Sequence, residues 1–188
     1  MDPDPPSTIA LTVGVPAWGR HLADPERTCR EAVAATLARV PHAHRLARAE
    51  VSVLLADDAM VRRLNADYRG SDRPTNVLSF PLLEDARARA PGPAAAGAIP
   101  LGDIVLAFET VRAEAAAEAK PFPHHVSHLL IHGCLHLLGY DHQEATDAAR
   151  MEALERDILA RLGIPDPYAR DALLPVARAT GRSSPEKQ

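Results

Sequence analysis

Cysteine is scarce in this chain. The two present, Cys29 and Cys134, are too few for a disulfide framework and stand at no spacing that makes a thiolate zinc site. Both are expected to be buried, reduced thiols. Long apolar runs are also missing: no stretch approaches the roughly 20 residues that span a bilayer, and the opening MDPDPPSTIALTVGV has no basic region ahead of its apolar part. A soluble, cytoplasmic protein with no membrane partner is expected. There is no excess of basic charge either. A formal net charge of −4 excludes a surface coated in basic patches, though not a local one. Such a place is RRLNADYRGSDR, residues 62–73, where Arg62, Arg63, Arg69 and Arg73 face only Asp67 and Asp72. No internal repeat is visible.

What is present suffices for one core. With 188 residues, 46% of them apolar, the chain is long enough for one ordinary globular domain and too short to require two. TIALTVGV (8–15) reads as a strand of alternating β-branched residues. In ADPERTCREAVAATLARV, Asp24 is placed to cap a helix that Pro25 opens, with Cys29, Val33, Leu37 and Val40 along one face. EVSVLLA (50–56) reads as a second strand and 57–68 as a helix with Met60, Val61 and Leu64 inward. TNVLSFPLL (75–83) and LGDIVLAF (101–108) are strand-like. Between them the alanine- and proline-rich segment 84–100 is expected to be a mobile loop. Helices follow at 109–120, 123–138 and 145–162, the last with Met151, Leu154, Ile158 and Leu162 on one side. The helix 123–138 is apolar around most of its circumference and should be buried. The fold class expected is α/β (α+β): a single domain over 1–168, with a small mixed sheet flanked by helices. The tail 169–188 is expected to be disordered.

Histidine is concentrated where that buried helix ends. Six of the nine histidines, at 124, 125, 128, 132, 136 and 142, lie in PHHVSHLLIHGCLHLLGYDH. Residues four apart on a helix share a face with their Cβ atoms about 5–6 Å apart, so His132 and His136 can grip one ion. Gly139 is placed to stop the helix, and His142 then arrives from the turn. This is the histidine and glycine spacing of the metzincin zinc proteases. Three neutral imidazoles leave a fourth zinc position open, as a catalytic site requires. One Zn²⁺ per chain is expected, although three imidazoles also suit other divalent transition metals such as nickel, copper or iron. His128 shares the face, but it lies about 12 Å along the axis from His136. It is therefore expected to stand behind the ligands or face substrate. Asp141 either orients a ligand imidazole, helps with a proton, or caps the turn. Cys134 points away from the ligand face, into the core.

One residue of the protease motif is absent. The general base of a metzincin is a glutamate directly after the first histidine, and here that position is Gly133. The leucine-rich helix also lacks a downstream methionine turn. Peptide hydrolysis is disfavoured on both counts. Phosphodiester cleavage suits the remainder, because a metal and an arginine can share the charge of a phosphate, and the segment 62–73 is the candidate source of that arginine. Thr75, Asn76 and Ser79 lie near enough in sequence to contact a nucleic-acid backbone.

HGCLHLLGYDH (132–142), taken with LNADYRGSDRPTNVLSFP (64–81), LGDIVLA (101–107) and MEALERDILARLGIPDPY (151–168), resembles the YbeY family of bacterial endoribonucleases over nearly all of residues 8–168. The resemblance implies a metal-dependent, single-strand-specific endoribonuclease that matures the 3′ end of 16S rRNA and serves ribosome quality control. It further implies partners on the small ribosomal subunit and among its assembly proteins. The family's metal ligands fall on His132, His136 and His142, its metal is most often zinc, and its functional arginine falls on Arg69. Those four are the expected catalytic residues. Two other readings remain at this point: a zinc peptidase with its base supplied from elsewhere, and a non-catalytic assembly factor with a structural metal.

Overall fold

A computed structural model describes residues 8–40, 46, 48–82 and 98–169. The segment 84–100 expected to be a mobile loop lies outside them up to residue 97, and the expected disordered tail lies outside them from residue 170.

The chain runs β1 (Thr8–Val13), α1 (Ala17–His21), α2 (Pro25–Arg39), β2 (Ala49–Ala56), α3 (Asp58–Arg69), β3 (Val77–Pro81), β4 (Ile99–Ala107), α4 (Phe108–Ala117), α5 (Phe122–Leu137) and α6 (Ala145–Arg161). The strands form one mixed sheet in the order β1-β2-β4-β3. β2 pairs parallel with both β1 and β4, and β3 pairs antiparallel with β4. The parallel pair β1–β2 needs a long crossover, which α1 and α2 supply. Strand β2 buries alternate residues: Val51, Val53 and Leu55 are solvent-free and face the main core. Its other face, with Leu54, meets the smaller cluster around Val61 of α3.

Helix α5 is the centre of the main core. It packs on α2, α4 and α6 and on strands β3 and β4, so residues on nearly every side of it are buried, among them Leu130, Ile131, Leu135 and Leu137. Its leucine-rich composition matches that position. Cys29 and Cys134 are both buried and unpaired, and burial pushes each thiol up to about 12, which leaves them protonated and unreactive. Asp24 caps α2 as expected, accepting from the Arg27 N–H at 2.9 Å.

Three local features differ from the sequence reading. Met60 is exposed rather than inward; α3 buries only Val61 and Asn65, because just one side of it meets the sheet. The five-residue α1 was not anticipated. It places Trp18, fully buried, with its indole N–H donating to the Ala56 carbonyl at 2.9 Å where β2 ends. β4 begins at Ile99, inside the segment read as loop. No helix among the described residues is long and apolar enough to cross a membrane.

Candidate metal centre and active-site cleft

The end of α5 fixes two of the three histidines, and its stop fixes the third. Gly139 has φ of 79°, a left-handed conformation that glycine adopts without a Cβ penalty. Its N–H donates to the His136 carbonyl at 2.9 Å, and the Tyr140 N–H donates to the Leu135 carbonyl at 3.0 Å. This paired closure ends the helix and turns the chain back over its last turn. His142 therefore returns to the face that holds His132 and His136.

The ring nitrogens of His132, His136 and His142 available as ligands all lie within 4.8 Å of one another. His132 and His136 bring their Nε2 atoms to 3.1 Å, with ring centroids 4.6 Å apart and planes at 78°. The His142 ring sits 5.0 Å from that of His136 and 5.5 Å from that of His132. His132 presents Nδ1 to the Glu155 carboxylate at 2.8 Å, which puts the ring proton on Nδ1 and leaves a lone pair on Nε2. Two nitrogen ligands of a tetrahedral Zn²⁺ at ~2.0–2.1 Å stand about 3.3–3.4 Å apart. The Nε2 pair is already near that separation, and His142 stands close enough to complete a donor set that fits a divalent cation.

Electrostatics prepare the ligands in the same sense. Burial, then the neighbouring His132 and His142 rings, lower the His136 pKa to about 4, so it is a neutral ligand at pH 7. Burial alone would raise the Glu155 carboxyl, but side-chain hydrogen bonds from His128, His132 and Tyr168 outweigh it and hold it at about 2. The unfolded chain binds protons at both groups more readily than the folded one. His136 thus costs stability as pH falls through 6.5 toward 4, and the contribution of Glu155 is lost as pH falls through 4.5 toward 2. Metal-free protein is expected to lose urea stability between about pH 7.5 and about pH 5, and His136→Gln should flatten that loss. Parallel urea titrations of the two proteins check it.

The three histidines line an open cleft of about 940 Å³ that also takes in Arg69, Arg73, Asn76, Ser79 and Glu114. Arg69, the last residue of α3, donates from its guanidinium to the Ser79 carbonyl at 3.3 Å and remains exposed. Asn76 donates to both oxygens of Glu114, at 3.0 and 3.3 Å, and His125 lies 3.0 Å from the same carboxylate. Thr75, Asn76 and Ser79 all line this cleft. Arg62 does not; it is held in a two-bond pair with Asp72 at 2.7 and 2.8 Å on exposed surface.

Of the residues singled out beside the triad, Asp141 lines the cleft but spends Oδ1 on the His142 N–H at 2.7 Å, the turn-capping arrangement. His128 stands behind His132, with Nε2 at 3.2 Å from Glu155 and 3.3 Å from the Tyr168 hydroxyl. Sequence reasoning missed Glu155 itself. It is 1% exposed and lies on the buried stripe of α6 with Met151 and Ile158, so the available signal was a carboxylate at i+4 from Met151 on an apolar face. Gly133 turns out to face the sheet. A Cβ there would stand 3.0 Å from the Ser79 Oγ and 3.1 Å from Ile104, so a side chain at that position is crowded and those two neighbours must give by a few tenths of an ångström.

Comparison with known proteins agrees with this architecture. The family model described as Endoribonuclease YbeY matches residues 20–163. A protein named Endoribonuclease YbeY from Bradyrhizobium diazoefficiens is 52% identical over 167 residues, covering 89% of this chain and 87% of that one. One of the same name from Paramagnetospirillum magneticum is 49% identical over 161 residues, 85% of this chain and 94% of its own. The fold is similar to the solution structure of a Thermotoga maritima protein, with a TM-score of 0.51 and 21% identity over 93% of this chain and 100% of that one. A family model spanning most of the chain, and close relatives that match it nearly end to end, place the chain in the YbeY family of endoribonucleases.

Proposed function

We propose that this chain is a metal-dependent, single-strand-specific endoribonuclease that matures the 3′ end of 16S rRNA in the cytoplasm and takes part in ribosome quality control. The observation that carries the reading is the convergence of three imidazoles in a cleft that Arg69 and Arg73 also line. Under this reading His132, His136 and His142 hold one Zn²⁺, and the small ribosomal subunit with its assembly proteins delivers the RNA. When bound, the ion supplies Lewis-acid polarisation of a phosphoryl oxygen and an acidified water. The protein's own part is positioning. Arg69 offers a forked donor to the scissile phosphate, tethered by the Ser79 carbonyl so that less freedom is lost on binding. Arg73 adds positive charge in the same cleft. A single strand bound in the cleft, with its unstacked backbone exposed, can meet both the arginines and the histidines that line it.

The peptidase reading is weakened by Gly133, which offers no carboxylate where the motif has its base and where a Cβ would crowd Ser79 and Ile104. The assembly-factor reading makes a different prediction for Arg69, which is exposed and can be removed without opening the core. Arg69→Ala is expected to keep its metal and its melting temperature while cleaving single-stranded RNA about 10²–10³-fold more slowly, the usual cost of losing one transition-state charge donor. Cleavage rates with metal analysis on the same preparations provide the test. An unaltered rate would remove Arg69 from the reaction, and unaltered rRNA processing in cells would favour the assembly factor.

A further inference from the structure

Behind the three imidazoles lies a second layer built from the block 151–168, whose residues the resemblance leaves without a role. Glu155, on α6, is buried to 1% exposure, and a carboxylate is kept ionised in such a place only when donors surround it. Three do. Oε1 takes the His132 Nδ1–H at 2.8 Å; Oε2 meets His128 Nε2 at 3.2 Å and accepts from the Tyr168 hydroxyl. Tyr168 is in turn fixed from outside the core. Its ring packs edge-on against His128 with centroids 5.6 Å apart, and the Arg156 guanidinium lies over it at 4.9 Å. Its backbone N–H donates to Asp166 at 2.9 Å. The segment that follows α6 is thereby connected, through a single carboxylate, to the first ring of the triad.

We propose that Glu155 is a positioning residue for the metal: it sets the tautomer and orientation of His132, and Tyr168 sets Glu155. The inference rests on the reading of His132, His136 and His142 as ligands, and it adds that their affinity is controlled from α6 and the chain after it. An ionised acceptor at Nδ1 holds the lone pair on Nε2 and makes it a stronger donor to a cation. Loss of the charge leaves the ring free to rotate or to exchange tautomers, so that Nε2 carries a proton part of the time. His128 and Tyr168 act one step further back, by denying Glu155 other rotamers.

The test is Zn²⁺ affinity of the full chain, measured by competition with a chromophoric chelator, for wild type, Glu155→Gln and Tyr168→Phe, with the melting temperature of each metal-free protein alongside. Glu155→Gln is expected to bind Zn²⁺ about 10–100-fold more weakly. Tyr168→Phe, which deletes one half-buried oxygen, should bind several-fold more weakly and remain folded, so it decides the matter if the glutamine variant does not fold. Ring-nitrogen NMR of the metal-free proteins should find the Nδ1–H form of His132 in wild type and a mixture in the variants. A purely structural role would lower melting temperatures but leave affinity and tautomer unchanged in whatever protein is folded. Folded variants with affinities within twofold of wild type overturn the positioning role alone, whereas a wild type that binds no Zn²⁺ overturns the ligand reading on which it rests.

Discussion

His136→Ala is expected to abolish stoichiometric Zn²⁺ binding and to reduce RNA cleavage to the level of metal-free protein. Under the proposed reading His136 is the central ligand: its ring is within 4.6 and 5.0 Å of the other two by centroid, closer than they are to each other. With a pKa of about 4 it has no proton to displace at neutral pH, so the whole of its donor strength is available to the ion. Its removal leaves His132 on the helix and His142 on an exposed turn, a pair with no fixed spacing. Replacing a second-layer partner costs about 10–100-fold in affinity, and loss of a ligand itself should exceed that range. The fold should survive, because the half-buried ring gives up one hydrogen bond to the Tyr140 backbone, worth about 1 kcal/mol. Metal content after dialysis against buffered Zn²⁺, read beside cleavage rate and melting temperature, separates loss of the ion from loss of the fold.

Gly133→Glu, which would write the protease motif into this helix, is expected to destabilise the protein by about 3–5 kcal/mol and to create no peptidase. The position lies on the side of α5 that packs on β3 and β4, with Ser79 Oγ at 3.0 Å and Ile104 carbons at 3.1 and 3.4 Å from the site of a Cβ. Contacts that short require the Ser79 and Ile104 side chains to give, at about 1–3 kcal/mol for overpacking, and a carboxylate brought into that packed interface adds a burial cost of similar size. In a chain of this length a loss of that order lowers the melting temperature by about 10 °C or more. Gly133→Ala isolates the packing part and should give the smaller shift. Thermal melts of both variants check the prediction; a glutamate variant as stable as wild type would contradict the packing of α5 on the sheet.

The clustering of His132, His136 and His142 was legible in the sequence, because helical geometry brings the first two together and a glycine stop returns the third. Positions 132 and 136 must share a face, and a glycine three residues on must let the chain turn. The mixed sheet flanked by helices was legible for a similar reason, since β-branched runs such as 50–56 alternate with capped amphipathic segments. Glu155 was not, because the bond that matters joins residues 23 apart in sequence, and a lone carboxylate on an apolar stripe has no partner in its own helix. Nor was α1 visible: five residues are too few to display a period, and Trp18 is held there by the end of β2. Met60 was misplaced because periodicity gives the centre of the buried face but not its width, which for α3 is set by how little sheet it covers. The role of Gly133 needed the sheet as well. The sequence displayed a missing base; the packing adds that a side chain there would crowd Ser79 and Ile104.

The central claim is that the three histidines and the arginines of the cleft form one metal-dependent RNA-cleaving site. It is tested most directly by titrating Zn²⁺ into metal-stripped protein and following cleavage of a single-stranded RNA that spans the 3′ end of 16S rRNA. The account predicts cleavage that rises in proportion to bound Zn²⁺, reaches a plateau at one ion per chain, and is absent throughout in His136→Ala. Cleavage that is independent of bound metal, or equal in the variant, would contradict it.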